Sequence, residues 1–180
     1  NPRAKPKALE NINYFVIHGS MDGDVQSFMG LSQGSRVDIR GVGEKFKGSY
    51  YVEGANHGQF NTRWGRFDYG RPLGWLFNTK DIMDAEQQRQ IAKVSFSAFL
   101  EVVLKDNRAY LPLLGDPRKG AAWLPDQYIL ANRVTGGRQL IADYEEGMEV
   151  TTTSFAMAEI AAANLTKWRE EWASRKWAPL

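Results

Sequence analysis

Two short apolar runs, each ending in a glycine-bounded polar turn, constrain this chain more than any other feature. Tyr14-Phe15-Val16-Ile17 leads into His18-Gly19-Ser20-Met21-Asp22-Gly23-Asp24-Val25, and Tyr50-Tyr51-Val52 leads into Gly54-Ala55-Asn56-His57-Gly58. Runs of four to eight β-branched or aromatic residues bounded by turn formers read as buried strands. In open α/β sheets the carboxyl ends of the strands are where ligands and reacting groups gather. A carboxylate at one such end and a histidine at the next are therefore the candidate functional pair, Asp22 and His57.

Composition narrows the alternatives. The chain has 180 residues, 43% hydrophobic and 24% charged, which suits a folded globular chain of one domain or a domain plus an appendage. A net charge of +2 from scattered basic residues leaves no electrostatic footprint for nucleic acid. No apolar run approaches the roughly 18 residues that a membrane span needs. Asn1-Pro2-Arg3-Ala4-Lys5-Pro6-Lys7 is polar, has no signal-like apolar stretch and looks like a cut or processed end; export is favoured, with the compartment left open. Without cysteine there is neither disulfide nor thiolate metal site.

Along the chain, residues 1–11 read as a linker, Ile12–Ile17 and Ser49–Glu53 as strands, and Val25–Gln33 as a helical patch. Gln59–Lys80 is long, glycine-rich and aromatic, and a stretch of that kind is often functional. Its Phe60, Trp64, Phe67, Tyr69, Trp75 and Phe77 read as core and lid material. The clearest helix spans Ala85–Lys105: Ile91, Val94, Ala98, Phe99, Val102 and Val103 recur at helical spacing, and Asp84 with Gln87 forms a capping pair. Tyr110–Pro125 is punctuated by Gly and Pro and is expected to pack back over the core. From Gln127, short strands are expected at Tyr128–Leu130, Gln139–Ile141 and Val150–Thr153, whereas Ala156–Trp172 suits helix or strand.

The chemistry of the pair is specific. A nucleophilic hydroxyl needs a base beside it, and the base needs a group that fixes its tautomer and stabilises its imidazolium form. His57 suits the base and Asp22 the orienting acid; Asp24 is the alternative acid, or else a helix cap. Gly30-Leu31-Ser32-Gln33-Gly34 matches the G-x-S-x-G string of a nucleophile elbow, but that elbow needs a buried strand before it and precedes the acid in chain order. Ser32 is accordingly read as a decoy. His18 is read as a hydrogen-bonded structural group, and His18, His57, Asp22 and Asp24 follow no compact metal-ligand spacing. Asn56 and Asn61 are read as turn residues, with hydrogen bonding around the His57 turn as their functional alternative.

With these residues in view, the chain resembles the α/β-hydrolase superfamily, in the branch of dienelactone-hydrolase-like and platelet-activating-factor-acetylhydrolase-like esterases. The likeness spans roughly residues 10–125. Gly19, Asp22 and Val25 match the G-x-x-D-x-x-V pattern of the triad acid, and Gly54-Ala55-Asn56-His57 matches the G-A-x-H turn of the triad histidine. The resemblance implies an α/β fold in which residues 1–126 are the C-terminal half of a hydrolase domain, a parallel sheet with flanking helices. Residues 127–180 would form a short β-rich tail, the start of a β-sandwich accessory module. It further implies a carboxylic ester or acyl substrate, no cofactor, and a partner in the N-terminal half of the domain, on the same or a separate chain, that brings the serine and the oxyanion hole. Two strands and one helix cannot bury both faces of a parallel sheet, which supports the same expectation of a fragment inactive by itself. The competing expectation is a non-catalytic binding module that uses the aromatic loop.

Overall fold

A computed structural model describes residues 7–25, 28–41, 44–68, 79–136, 141–142, 149–155 and 157–169. The chain divides into two compact units, 1–137 and 138–180. Unit 1 has mixed α/β content. Its described strands are β1 (Lys7–Glu10), β2 (Tyr14–Gly19), β3 (Val37–Arg40), β4 (Phe46–Val52) and β5 (Ile129–Thr135), and its α-helices are α1 (Met29–Ser35), α2 (Ala85–Lys105) and α3 (Leu111–Gly115).

Strands β2, β4 and β5 form one sheet in the order β2-β4-β5. β2 runs parallel to β4, with Ile17 opposite Tyr50 and Gly19 opposite Val52, whereas β5 is antiparallel to β4. The expected parallel pair is therefore present. Two expectations are corrected. Lys7–Glu10 is not linker but a strand, paired in parallel with β3 in a second, two-stranded sheet. Ile129–Thr135, expected in a tail starting at residue 127, belongs to the main sheet, so the compact unit extends to residue 137.

β4 occupies the centre of the sheet, with one face fully buried and the other partly covered. Phe46, Gly48, Tyr50 and Val52 alternate with Lys47, Ser49 and Tyr51. The first set faces α2 and α3: Phe46 packs with Ala98, Val102, Leu113 and Leu114, and Tyr50 and Val52 pack with Met83 and Ile91. Phe15 of β2 joins this side, meeting Tyr50 edge-on at 5.0 Å between ring centroids. Each fully buried Ile91- or Leu114-sized side chain contributes about 1.5–3 kcal/mol relative to exposure. The Tyr50 hydroxyl donates to the Leu113 carbonyl, and burial raises the phenol's pKa, with the nearby Asp116 charge adding to the effect.

On the opposite face lies α1. Its Gly34 packs over Tyr14 and Val16, and Gly30 lies against His18. Lys47 reaches across this face, and its ammonium donates to the carbonyls of Gly34 (3.0 Å) and Val37 (2.6 Å), which closes the end of the helix.

Helix α2 covers the boundaries expected from its apolar stripe, Ala85–Lys105. The Asp84 carboxylate accepts from the Glu86 and Gln87 backbone N–H groups, satisfying two of the unpaired donors of the first turn. At the other end Asp106 adopts φ 51° and closes the helix with a backbone bond to the Glu101 carbonyl.

In the second unit, Val150–Thr153 is not a strand; the pairing there is an isolated antiparallel bridge between Thr152 and Glu159. Residues 157–169 contain neither helix nor strand. Gln139 and Leu140, with 156 and 170–172, lie outside the described residues.

Candidate functional site

Parallel pairing of β2 with β4 brings their carboxyl ends side by side, and the two turns that follow are joined by hydrogen bonds. Ser20 N–H donates to the Val52 carbonyl (2.9 Å), Met21 N–H to the Ala55 carbonyl (2.8 Å), and Gly54 N–H to the Ser20 hydroxyl (2.8 Å). Two glycines permit this contact. A Cβ on Gly19 would lie 2.2 Å from the Ala55 carbonyl oxygen, and Gly54 takes φ +71°, a left-handed conformation that glycine adopts without strain.

Asp22 and His57 meet above these joined turns. Asp22 Oδ2 lies 3.1 Å from His57 Nδ1. The other carboxylate oxygen, Oδ1, accepts from the backbone N–H groups of Asp24 (3.0 Å) and Val25 (2.7 Å), a local turn that leaves one oxygen for the imidazole. A carboxylate only accepts hydrogen bonds, so this contact needs the proton on Nδ1 and leaves the Nε2 lone pair available. The Asp22 side chain is 7% exposed and that of His57 31%: the acid is covered and the base is reachable. Such an arrangement can take a proton at Nε2 and stabilise the resulting imidazolium.

Asp24, the alternative acid, sits on the other side of the ring, its Oδ2 3.8 Å from Nε2, with a side chain 65% exposed. Trp64 stacks parallel to the imidazole at 5.6 Å between ring centroids. No described serine of this unit hydrogen-bonds His57. Ser32 lies inside α1 on an exposed face, and no strand enters directly before it. The two glycines of that string serve to bring the helix onto the sheet, against His18, Tyr14 and Val16.

His18 is buried beneath α1 and stacks on Tyr51 at 5.6 Å between centroids. Burial holds its pKa below the usual imidazole value; Asp22 acts in the opposite direction and His57 adds to the lowering. Among the described residues no cluster of three or more His, Asp or Glu side chains could hold a metal ion. Nor is any described helix long and apolar enough to cross a membrane.

Sequence reasoning missed three side chains that build the site. Asp68, from the aromatic stretch, accepts from the backbone N–H groups of Gly23, His57 and Gly58 and from the Asn56 amide. Gln88 of α2 clamps the fully buried Asn56, accepting from its N–H (3.1 Å) and donating to its carbonyl (2.7 Å). Gln59 donates to the Met83 carbonyl and to Gln88. Asn56 does hydrogen-bond around the turn, through Gln59 N–H, Arg66 and Asp68, but Asn61 instead caps the next turn at Arg63 and Trp64. Phe60 packs on the core while Trp64 and Phe67 are exposed; Tyr69, Trp75 and Phe77 lie outside the described residues. For Gln88 a signal existed, since a glutamine among the buried positions of an apolar stripe needs a polar partner. For Asp68 none did.

No protein-family model, no curated protein and no solved structure matches this chain.

Proposed function

We propose that this chain supplies the base and the orienting acid of a serine hydrolase of α/β-hydrolase type, acting on carboxylic esters or related acyl compounds. The 3.1 Å contact between His57 Nδ1 and Asp22 Oδ2, at adjacent carboxyl ends of two parallel strands, carries the proposal. In this reading a serine outside the described residues attacks the acyl carbonyl. His57 Nε2 takes the hydroxyl proton and later returns it to the leaving alcohol, while Asp22 holds the ring and stabilises its charged form. The remainder of the hydrolase domain, on the same or a separate chain, provides the nucleophile and the oxyanion hole. No cofactor enters the reaction.

Trapping with a fluorophosphonate, which phosphonylates only an activated serine, tests this reading. In the complete domain, with this chain joined to the remainder that carries the nucleophile, one serine that is not Ser32 should become labelled, and His57→Ala should abolish labelling while Ser32→Ala leaves it intact. Absence of labelling in the complete domain, or undiminished labelling of its His57→Ala variant, contradicts it.

A second reading, a binding module, draws on Trp64, an exposed indole set parallel to the His57 ring. It requires saturable ligand binding that weakens in Trp64→Ala, with no serine labelled.

A further inference from the structure

The Asp68 carboxylate is saturated by four donors. Its Oδ2 accepts from Gly23 N–H (2.8 Å) and His57 N–H (3.0 Å), and its Oδ1 from Gly58 N–H (2.8 Å) and Asn56 Nδ2 (2.9 Å). A carboxylate has about four lone-pair sites, so none is left for an outside ligand. The distribution of these bonds is informative. Gly23 directly follows Asp22, and one carboxylate oxygen therefore ties the backbone of the acid's turn to the backbone of the histidine itself. Gly58 allows the approach, because a Cβ there would meet Gly65 O at 2.6 Å and Asp68 Oδ1 at 3.2 Å.

The strand ends do not depend on this residue. Ser20, Met21 and Gly54 already join the two turns through bonds to Val52, Ala55 and Ser20. Beyond those links, residues 22–23 and 57–58 project past the sheet, and the direct Asp22–His57 bond spans the gap by side chains alone. We propose that Asp68 is a positioning residue which, by gripping the backbones of Gly23 and His57 together, holds Asp22 and the imidazole at the separation their hydrogen bond requires. This rests on the hydrolase reading of the same pair. It assigns Asp68 no contact with substrate or with the reacting atoms; it acts through His57.

Asp68→Ala removes all four acceptor contacts. In Asp68→Asn the amide oxygen can serve one donor pair, while the amide nitrogen is turned toward the other pair of N–H groups. The readout is the ring ¹⁵N spectrum of His57 in the intact protein, recorded with the imidazole neutral, which gives the ratio of the Nδ1–H to the Nε2–H tautomer. His18 serves as an internal reference and the amide spectrum as a fold check. The parent protein should show His57 with Nδ1–H predominant, and Asp22→Asn should lose that preference. Both Asp68 variants should remain folded, keep the His18 signals, and lower the His57 tautomer ratio at least about tenfold, equivalent to about 1.4 kcal/mol. Folded variants with the parent ratio overturn the proposal. Loss of fold in both also overturns it, since Asp68 would then hold the fold and not the pair. An unchanged ratio in Asp22→Asn brings down the hydrolase reading itself, whatever the Asp68 variants show.

Discussion

Gly30 of α1 lies so close to the His18 imidazole that an added Cβ would sit 2.5 Å from Nδ1. His18 cannot yield cheaply, because it is buried and stacked on Tyr51. Gly30→Ala should therefore destabilise the protein by about 1–3 kcal/mol, against the roughly 1 kcal/mol gain that Gly→Ala usually brings in a helix. Urea unfolding compares the two directly.

Ser32, two positions along on the exposed side of the same helix, should behave oppositely. Ser32→Ala removes a solvated hydroxyl from a G-x-S-x-G string that has no strand leading directly into it. Its stability should stay within about 0.5 kcal/mol of the parent, and any ester turnover should be unchanged. A large loss of activity with intact fold would restore Ser32 as the nucleophile.

Gln88 joins α2 to the histidine turn through both backbone groups of Asn56. Gln88→Leu would leave a buried N–H and a buried carbonyl unpaired, at about 1–3 kcal/mol each. Expected are a loss of about 2–5 kcal/mol in urea unfolding and increased amide exchange at Asn56 and Gln59, more than at β1 and β3.

His18 makes stability depend on pH. Its folded-state pKa lies below the ordinary 6.5, chiefly through burial, so the unfolded chain takes up a proton before the folded one does. Its contribution is whole above pH 6.5 and is lost progressively as pH falls below that value toward the folded-state pKa. His18→Gln should thus show a smaller drop in urea midpoint between about pH 7.5 and 5.5 than the parent protein does.

What could be read from residue order was local. The α2 stripe and its Asp84 cap emerge from spacing alone, and so do the two strand-end turns that carry Asp22 and His57. β1 and β3 escaped because Lys7-Ala8-Leu9-Glu10 and Val37-Asp38-Ile39-Arg40 are short and half charged, and their pairing is a tertiary event. The place of β5 is illegible for a related reason: it alternates like any exposed strand, and only the register with β4 shows which sheet it completes. Asp68 was hidden because its partners are separated from it by 10 to 45 residues, and no periodicity links a loop carboxylate to two distant turns.

Hydrolysis of a short-chain p-nitrophenyl ester by the complete domain, this chain joined to the remainder that carries the nucleophile, and by its Asp22→Asn variant addresses the central claim most directly. If Asp22 fixes the His57 tautomer, kcat falls by about 10⁴ while KM changes little, as expected when only the orienting acid is lost. An Asp22→Asn variant that keeps the parent's kcat would contradict the account.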